Sequence, residues 1–352
     1  MTHKQKLEIL IDRVVKEGGS DLHITEERLP FIRVDGSLIP LTSTEVSTKE
    51  DLLGFLDELL TPQNKEKFLE KKEIDFSYSD TGSRFRGNGF FHQGLMSIAL
   101  RLIPKQIKTL EELNLPPILK KFTEIQQGFF LVVGPVGQGK STTLAAMIEI
   151  INQERNEHIV TIEDPVEYLY EPKKSIIDQR EVGVDTVDFA VALRSMFRQD
   201  VDVALIGEMR GAETISTAVT AAETGHLVFS TLHTNTAAQT IDRIIDSFPA
   251  AQQDQIRTQL AGSLTGILSQ RLIPRVSGGM IPAYELLINN NAVSNLIREK
   301  RTYEINSIIE TGSQLGMLSL NRSLADLVRR GEVSIENARK YSLNVGALEK
   351  LV

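Results

Sequence analysis

One stretch constrains this chain more than any other. Gly134-Pro135-Val136-Gly137-Gln138-Gly139-Lys140-Ser141 reads G-x-x-x-x-G-K-[ST], the spacing of a backbone loop that cradles phosphates. Its flanks are the required ones: Phe129 to Val133 is an apolar, β-branched and aromatic run, and residues 142 to 151 carry Leu144, Ala145, Met147 and Ile148 in a helix-compatible pattern. Strand, loop and helix follow in that order. Glycine at 134, 137 and 139 lets backbone N–H groups turn on an anion with no Cβ in the way, and the new helix adds the positive end of its dipole. In such a P-loop Lys140 meets the β- and γ-phosphates and Ser141 faces Mg²⁺, so residues 134 to 142, ending in Thr142, are the expected site for ATP and Mg²⁺. The loop alone does not choose among kinases, GTPases, helicases and mechanical ATPases.

At 352 residues the chain exceeds the usual size of one core, so two domains of ~100 to 230 residues are expected. Cysteine is absent, which excludes disulfides and Cys-ligated zinc or iron-sulfur sites. A net charge of -8 weighs against a nucleic-acid backbone as main partner. No apolar run reaches the ~18 residues of a membrane span. Met1-Thr2-His3-Lys4 leads into an amphipathic pattern rather than a signal peptide. The expectation is a cytoplasmic protein that meets membranes through partners.

Leu7, Leu10, Ile11 and Val14 stand at helical spacing, so residues 4 to 17 read as a helix closed by Gly18-Gly19. Runs 31 to 34 and 38 to 41 flank Asp35-Gly36, a hairpin signal. Helices over 49 to 60 and 62 to 71 follow, the second opened by Thr61 and Pro62. Three β-like runs at 73 to 79, 83 to 91 and 95 to 103 are separated by Asp80-Thr81-Gly82 and Gln93-Gly94, and Pro104 ends the last. Residues 1 to 104 thus read as a small α+β domain resembling a PAS-like module. Pro104, Pro116 and Pro117 mark an interdomain linker over 105 to 117. From 118 to 352 strands at 128 to 133, 158 to 162, 201 to 206, 226 to 231 and 281 to 287 alternate with helices, which predicts a mainly parallel, RecA-like α/β sheet. From Ala292 onward the pattern is helical.

Ligands of such sheets bind at the carboxyl ends of strands. Three ends are polar here: Glu163-Asp164-Pro165-Val166-Glu167, Gly207-Glu208-Met209-Arg210, and His233 after the strand that His226 opens. Glu208 stands where a carboxylate can orient and deprotonate a water. Gly207 occupies the place of the usual aspartate, which turns attention to Glu163 and Asp164 as groups that hold water or Mg²⁺, a turn-capping pair being the alternative. His226 and His233 match no zinc spacing; an imidazole near a γ-phosphate would sense it, and a structural histidine is the alternative. Arg84, Arg86 and Arg101 lie on neighbouring β-runs, either as solvated edge charges or as fingers that reach a phosphate.

Several of these stretches together resemble one family, the ATPases of type II secretion and type IV pili, and within it the twitching-motility retraction ATPases. Gly18 to His23 resembles its entry motif, Glu163 to Glu167 its Asp box, Leu205 to Arg210 its atypical Walker B, and Thr224 to Thr234 its His box. Extension and type II secretion members typically carry a four-cysteine zinc element, which this chain lacks. Ala292-Val293-Ser294-Asn295-Leu296-Ile297-Arg298-Glu299 resembles the retraction signature Ala-Ile-Arg-Asn-Leu-Ile-Arg-Glu, departing at Val293 and Ser294.

The resemblance implies a homohexameric ring that couples ATP hydrolysis to pilus retraction, with ATP in the cleft between the two domains of a subunit. It implies Glu208, Glu163 and His233 as catalytic groups, and Arg86 and Arg101 as arginines that approach the γ-phosphate. It further implies action at the cytoplasmic face of the inner membrane through a platform protein, with pilin engaged indirectly and no nucleic acid. A pilus extension or type II secretion ATPase, or a nucleotide-binding regulatory paralogue, is the alternative.

Overall fold

Period-two alternation early in the chain and apolar runs later produce two sheets of different kind. The computed structural model describes residues 1–34, 36–80, 83–103, 106–209 and 211–352. The expected turn residues Asp35, Thr81 and Gly82, the strand-ending Pro104, and Arg210 lie outside the described residues. The chain divides into two compact units, Met1–Gln106 with Pro165–Leu169, and Ile107–Asp164 with Tyr170–Val352.

In the first unit, strands β1 (Asp21–Thr25), β2 (Phe31–Val34), β3 (Ser37–Pro40), β4 (Glu73–Asp80), β5 (Ser83–His92) and β6 (Leu95–Ile103) form an antiparallel sheet of order β3-β2-β1-β6-β5-β4. Strand β1 was not anticipated as a strand, although Leu22 and Ile24 alternate with polar neighbours and are fully buried. Helix His3–Lys16 lays Leu7, Leu10, Ile11 and Val14 into the same core as Leu22, Ile24, Phe68, Phe85 and Ile98. Helix Lys49–Leu59 is opened by a capping box in which Thr48 and Asp51 satisfy each other's backbone N–H. Helix Pro62–Lys71 has Thr61 as N-cap and proline in its first turn, as the sequence suggests.

The second unit holds β7 (Gly128–Val133), β8 (His158–Glu163), β9 (Ile176–Glu181), β10 (Val203–Ile206), β11 (Leu227–Leu232), β12 (Leu264–Pro274) and β13 (Met280–Ile288), ordered β13-β12-β7-β11-β10-β8-β9. All neighbours are parallel except the β12–β13 pair. Strands β7, β10 and β11 are buried along their whole length, so both faces of the sheet are covered. This is the mainly parallel P-loop α/β fold that the alternation implies. The sequence reading lacked β9 and β12, and it placed His226 inside a strand that begins one residue later. Beyond β13, helices Asn291–Arg298, Ile305–Thr311, Leu320–Arg329, Ile335–Tyr341 and Val345–Glu349 follow. Leu320, Leu324 and Leu327 bury against Ile273 and Ile281 of the β12–β13 hairpin. Among the described residues no helix is long and apolar enough to cross a membrane.

Candidate functional site

Strand order sets the site. Because β7, β11, β10 and β8 are adjacent and parallel, the segments that follow them emerge at one edge of the sheet. Those segments carry the loop 134 to 139, His233, Glu208 and Glu163 in turn.

The loop turns on its first glycine. Gly134 has φ +147, and a Cβ there would stand 2.5 Å from the Gln270 carbonyl oxygen, so no larger residue fits. Helix Lys140–Glu154 starts at the loop's end, and Ser141 and Thr142 in its first turn are half-buried. The Lys140 ammonium is buried and folds back on the loop, donating to Gly134 O and Pro135 O at 2.9 Å each. It also lies 3.3 Å from His233 Nδ1. An ammonium can only donate, so Nδ1 accepts, which leaves the Nε2–H of His233 facing Glu208 Oε2 at 3.5 Å. Lysine, histidine and glutamate thus form a continuous polar line from the loop to the end of β10.

Glu163 ends β8 and is only 8% exposed. Its Oε1 accepts from Thr161 Oγ1 at 2.6 Å and from Gln179 Nε2 at 3.4 Å, while Asp164 beside it is exposed. The glycine at 207 has a structural cause. Gly207 N–H donates to Ile162 O at 2.8 Å, its carbonyl accepts from Thr231 Oγ1 at 2.6 Å, and a Cβ would meet Ile162 O at 3.3 Å and the Glu163 Cα at 3.4 Å. The end of β8 therefore crowds any side chain at 207, and the Glu163 Cβ would lie 3.8 Å from it. Mg²⁺ takes hard oxygen ligands; of the residues expected to face it, Ser141 is half-buried in the first turn of its helix, Glu163 ends β8 and Asp164 follows it.

His226 does not join this group. It precedes β11, at the strand end opposite His233 and roughly 20 Å away by strand rise. There its Nδ1 bonds Ala221 O at 3.0 Å and its ring meets Phe197 edge-on at 5.5 Å. The structural alternative holds for His226.

Arg86 and Arg101 belong to the first unit, where they face each other directly across β5 and β6. Like charges opposite one another are unfavourable without acidic partners. Arg101 Nε donates to Asp21 Oδ1 at 2.8 Å and Arg86 lies 4.0 Å from Glu167. Burial would raise the Asp21 pKa, but hydrogen bonds from Ser20 and Arg101 outweigh it and hold the carboxyl below its usual value.

Helix Asn291–Arg298, capped by Asn290, carries the 292 to 299 signature. Val293, Ser294, Leu296 and Ile297 point inward, and Ala292, Asn295, Arg298 and Glu299 are exposed. Both departures from the signature therefore lie on the buried face, where Ser294 Oγ bonds Ala261 O at 2.8 Å. Arg298 donates to Asn295 Oδ1 at 2.9 Å on the outer face.

Sequence reasoning missed Thr161, Thr231 and Gln270, each a buried polar side chain inside a strand. That context was the available signal, since such a group needs a partner.

A family profile described as type II/IV secretion system protein matches residues 3–342. The chain belongs to the type II/IV secretion system protein family. It is 44% identical over 326 residues to the type IV pilus retraction ATPase PilT of Pseudomonas aeruginosa, covering 92% of this chain and 94% of that protein. It is 45% identical over 317 residues to a twitching motility protein of Neisseria gonorrhoeae, covering 90% and 84%. A crystal structure of the pilus retraction motor PilT with bound ADP superposes with a TM-score of 0.90 at 44% identity, over 97% of this chain and 98% of that one.

Proposed function

We propose that this chain is a motor ATPase of type IV pilus retraction. The observation that carries the reading is the line Lys140, His233, Glu208, with Glu163 beside it, at one edge of a P-loop sheet. Its setting is a chain 44% identical to a retraction ATPase over almost its whole length.

Backbone N–H groups of residues 136 to 142 bind the phosphates of ATP, Pro135 having none to offer. The γ-phosphate takes over the Lys140 ammonium from the Gly134 and Pro135 carbonyls, which frees His233 to follow the phosphate. Glu208 orients the attacking water and accepts its proton. Ser141, with Glu163 and Asp164 acting through water, would hold Mg²⁺, which would supply neutralisation of phosphate charge when bound. Arg86 and Arg101 are assigned to the developing γ-phosphate charge. The ATPase works as a homohexamer at the cytoplasmic face of the inner membrane, docked on a platform protein and withdrawing pilin indirectly. The outer face of helix Asn291–Arg298, with Arg298 and Glu299, is assigned to coupling rather than to hydrolysis.

The test is ATP turnover by the purified protein beside Lys140→Ala. Turnover that needs Mg²⁺ and disappears in the variant supports the reading. A variant that hydrolyses ATP like the parent removes the loop as the site.

A further inference from the structure

We propose that Gln270 is a positioning residue for the phosphate cradle, holding the Gln138 carbonyl so that the Gly139 N–H is preset as a phosphate donor. The inference rests on the loop being the nucleotide site, and goes beyond it by naming what shapes the loop.

Strand β12 runs parallel to β7, pairing Leu268 with Val132 and Ser269 with Val133, so Gln270 stands level with the first loop glycine. It is 3% exposed, a costly place for an amide without partners. Both ends of the amide are engaged by the loop and its helix. Nε2 donates to Gln138 O at 2.7 Å, and Oε1 accepts from Thr143 Oγ1 at 2.7 Å. The loop answers through Gln138, whose Oε1 accepts from Leu272 N at 2.7 Å. Two of the loop's glycines close on the same residue: a Cβ at Gly134 would meet Gln270 O at 2.5 Å, and one at Gly139 would meet Gln270 Nε2 at 3.0 Å.

A trans, planar peptide points its C=O and N–H in opposite directions. Fixing the Gln138 carbonyl toward β12 therefore aims the Gly139 N–H away from β12 before any ligand arrives. Donors already in place need no reorganisation when the phosphate binds. Successive strand residues face opposite sides, and the neighbours of Gln270 serve the other loop of the site. Ser269 Oγ donates to Asn235 O at 2.8 Å, and Arg271 donates to Asn235 Oδ1 at 2.8 Å, two residues after His233. One polar triplet in β12 thus braces the phosphate loop from one face and the His233 segment from the other.

The experiment is calorimetric titration of the full chain with ADP and Mg²⁺, with kcat and KM for ATP measured in parallel. Gln270→Met keeps the length but neither donates nor accepts; Thr143→Val keeps the shape and frees the amide at its other end. Gln270→Met should weaken ADP binding about tenfold or more, with KM rising by more than kcat falls, and Thr143→Val should weaken it about threefold. The double variant should bind no worse than Gln270→Met, because both remove one bridge. Melting of the nucleotide-free protein should change little. ADP affinity equal to wild type in Gln270→Met, or additive losses that track a lower nucleotide-free melting temperature, would overturn the proposal. If Gln270→Met does not fold, undiminished affinity in Thr143→Val overturns it equally. A wild-type chain that binds no ADP would instead remove the nucleotide-site reading on which the proposal rests.

Discussion

Restoring the usual aspartate at the end of β10 should harm this protein. Gly207→Asp places a Cβ 3.3 Å from Ile162 O and 3.4 Å from Glu163 Cα, against backbone pinned by the Gly207 N–H to Ile162 O bond at 2.8 Å. Such crowding costs about 1 kcal/mol. The new carboxylate would then sit near that of Glu163. At a separation of roughly 5 Å and an effective dielectric of ~20 the repulsion is about 3 kcal/mol, reduced to about 2 because position 207 is partly open to solvent. Gly207→Ala separates the two effects, since it carries the crowding without the charge. Denaturant unfolding in Mg²⁺-free buffer at pH 8 should place Ala about 1 kcal/mol and Asp about 3 kcal/mol below the parent. An Asp variant as stable as Ala at pH 8, with unchanged or higher ATP turnover, would refute the claim that Glu163 disfavours an aspartate at this place.

Other tests address different parts of the chain. Glu208→Gln preserves shape and should lower kcat by about 10² to 10⁴ while leaving ADP affinity intact, read by steady-state turnover beside calorimetry. Arg298→Ala, on the exposed face of its helix, should spare ATP hydrolysis in solution yet abolish pilus retraction scored by twitching on agar; normal twitching would show that this face has no coupling role. Burial acts to raise the Asp51 pKa, but the Lys6 hydrogen bond and the Thr48 cap outweigh it and hold it down to about 2 against an ordinary 3.8. A depressed carboxyl stabilises above its unfolded pKa and loses that contribution as pH falls from about 4 to 2. Asp51→Asn should therefore destabilise the first unit by about 1 to 2 kcal/mol at pH 7 and by almost nothing at pH 2, followed by urea unfolding.

Most of the fold was legible because local signals agreed with burial. The helix at Pro62–Lys71 and the strands Gly128–Val133 and Leu95–Ile103 fall where caps, proline and apolar runs place them. What was missed had mixed signals. Strand β9 lies at a sheet edge, with Ile176 exposed and Asp178, Gln179 and Arg180 along it, so it shows neither an apolar run nor clean alternation. Strand β12 is apolar at both ends but polar at Ser269, Gln270 and Arg271, and those residues serve the loops beside it. Function disrupted the pattern that would have revealed the strand. Within the site, Lys140, Glu208 and Glu163 could be found from motif spacing. The contact of His233 with Lys140 spans 93 residues of sequence and needed the strand order to appear.

The most direct measurement is steady-state ATP hydrolysis against protein concentration, with molecular mass determined on the same samples. The account requires turnover that rises with the appearance of a hexamer and vanishes in Lys140→Ala. Full turnover in a monomer would contradict a ring motor, and no turnover at any concentration would contradict the ATPase itself.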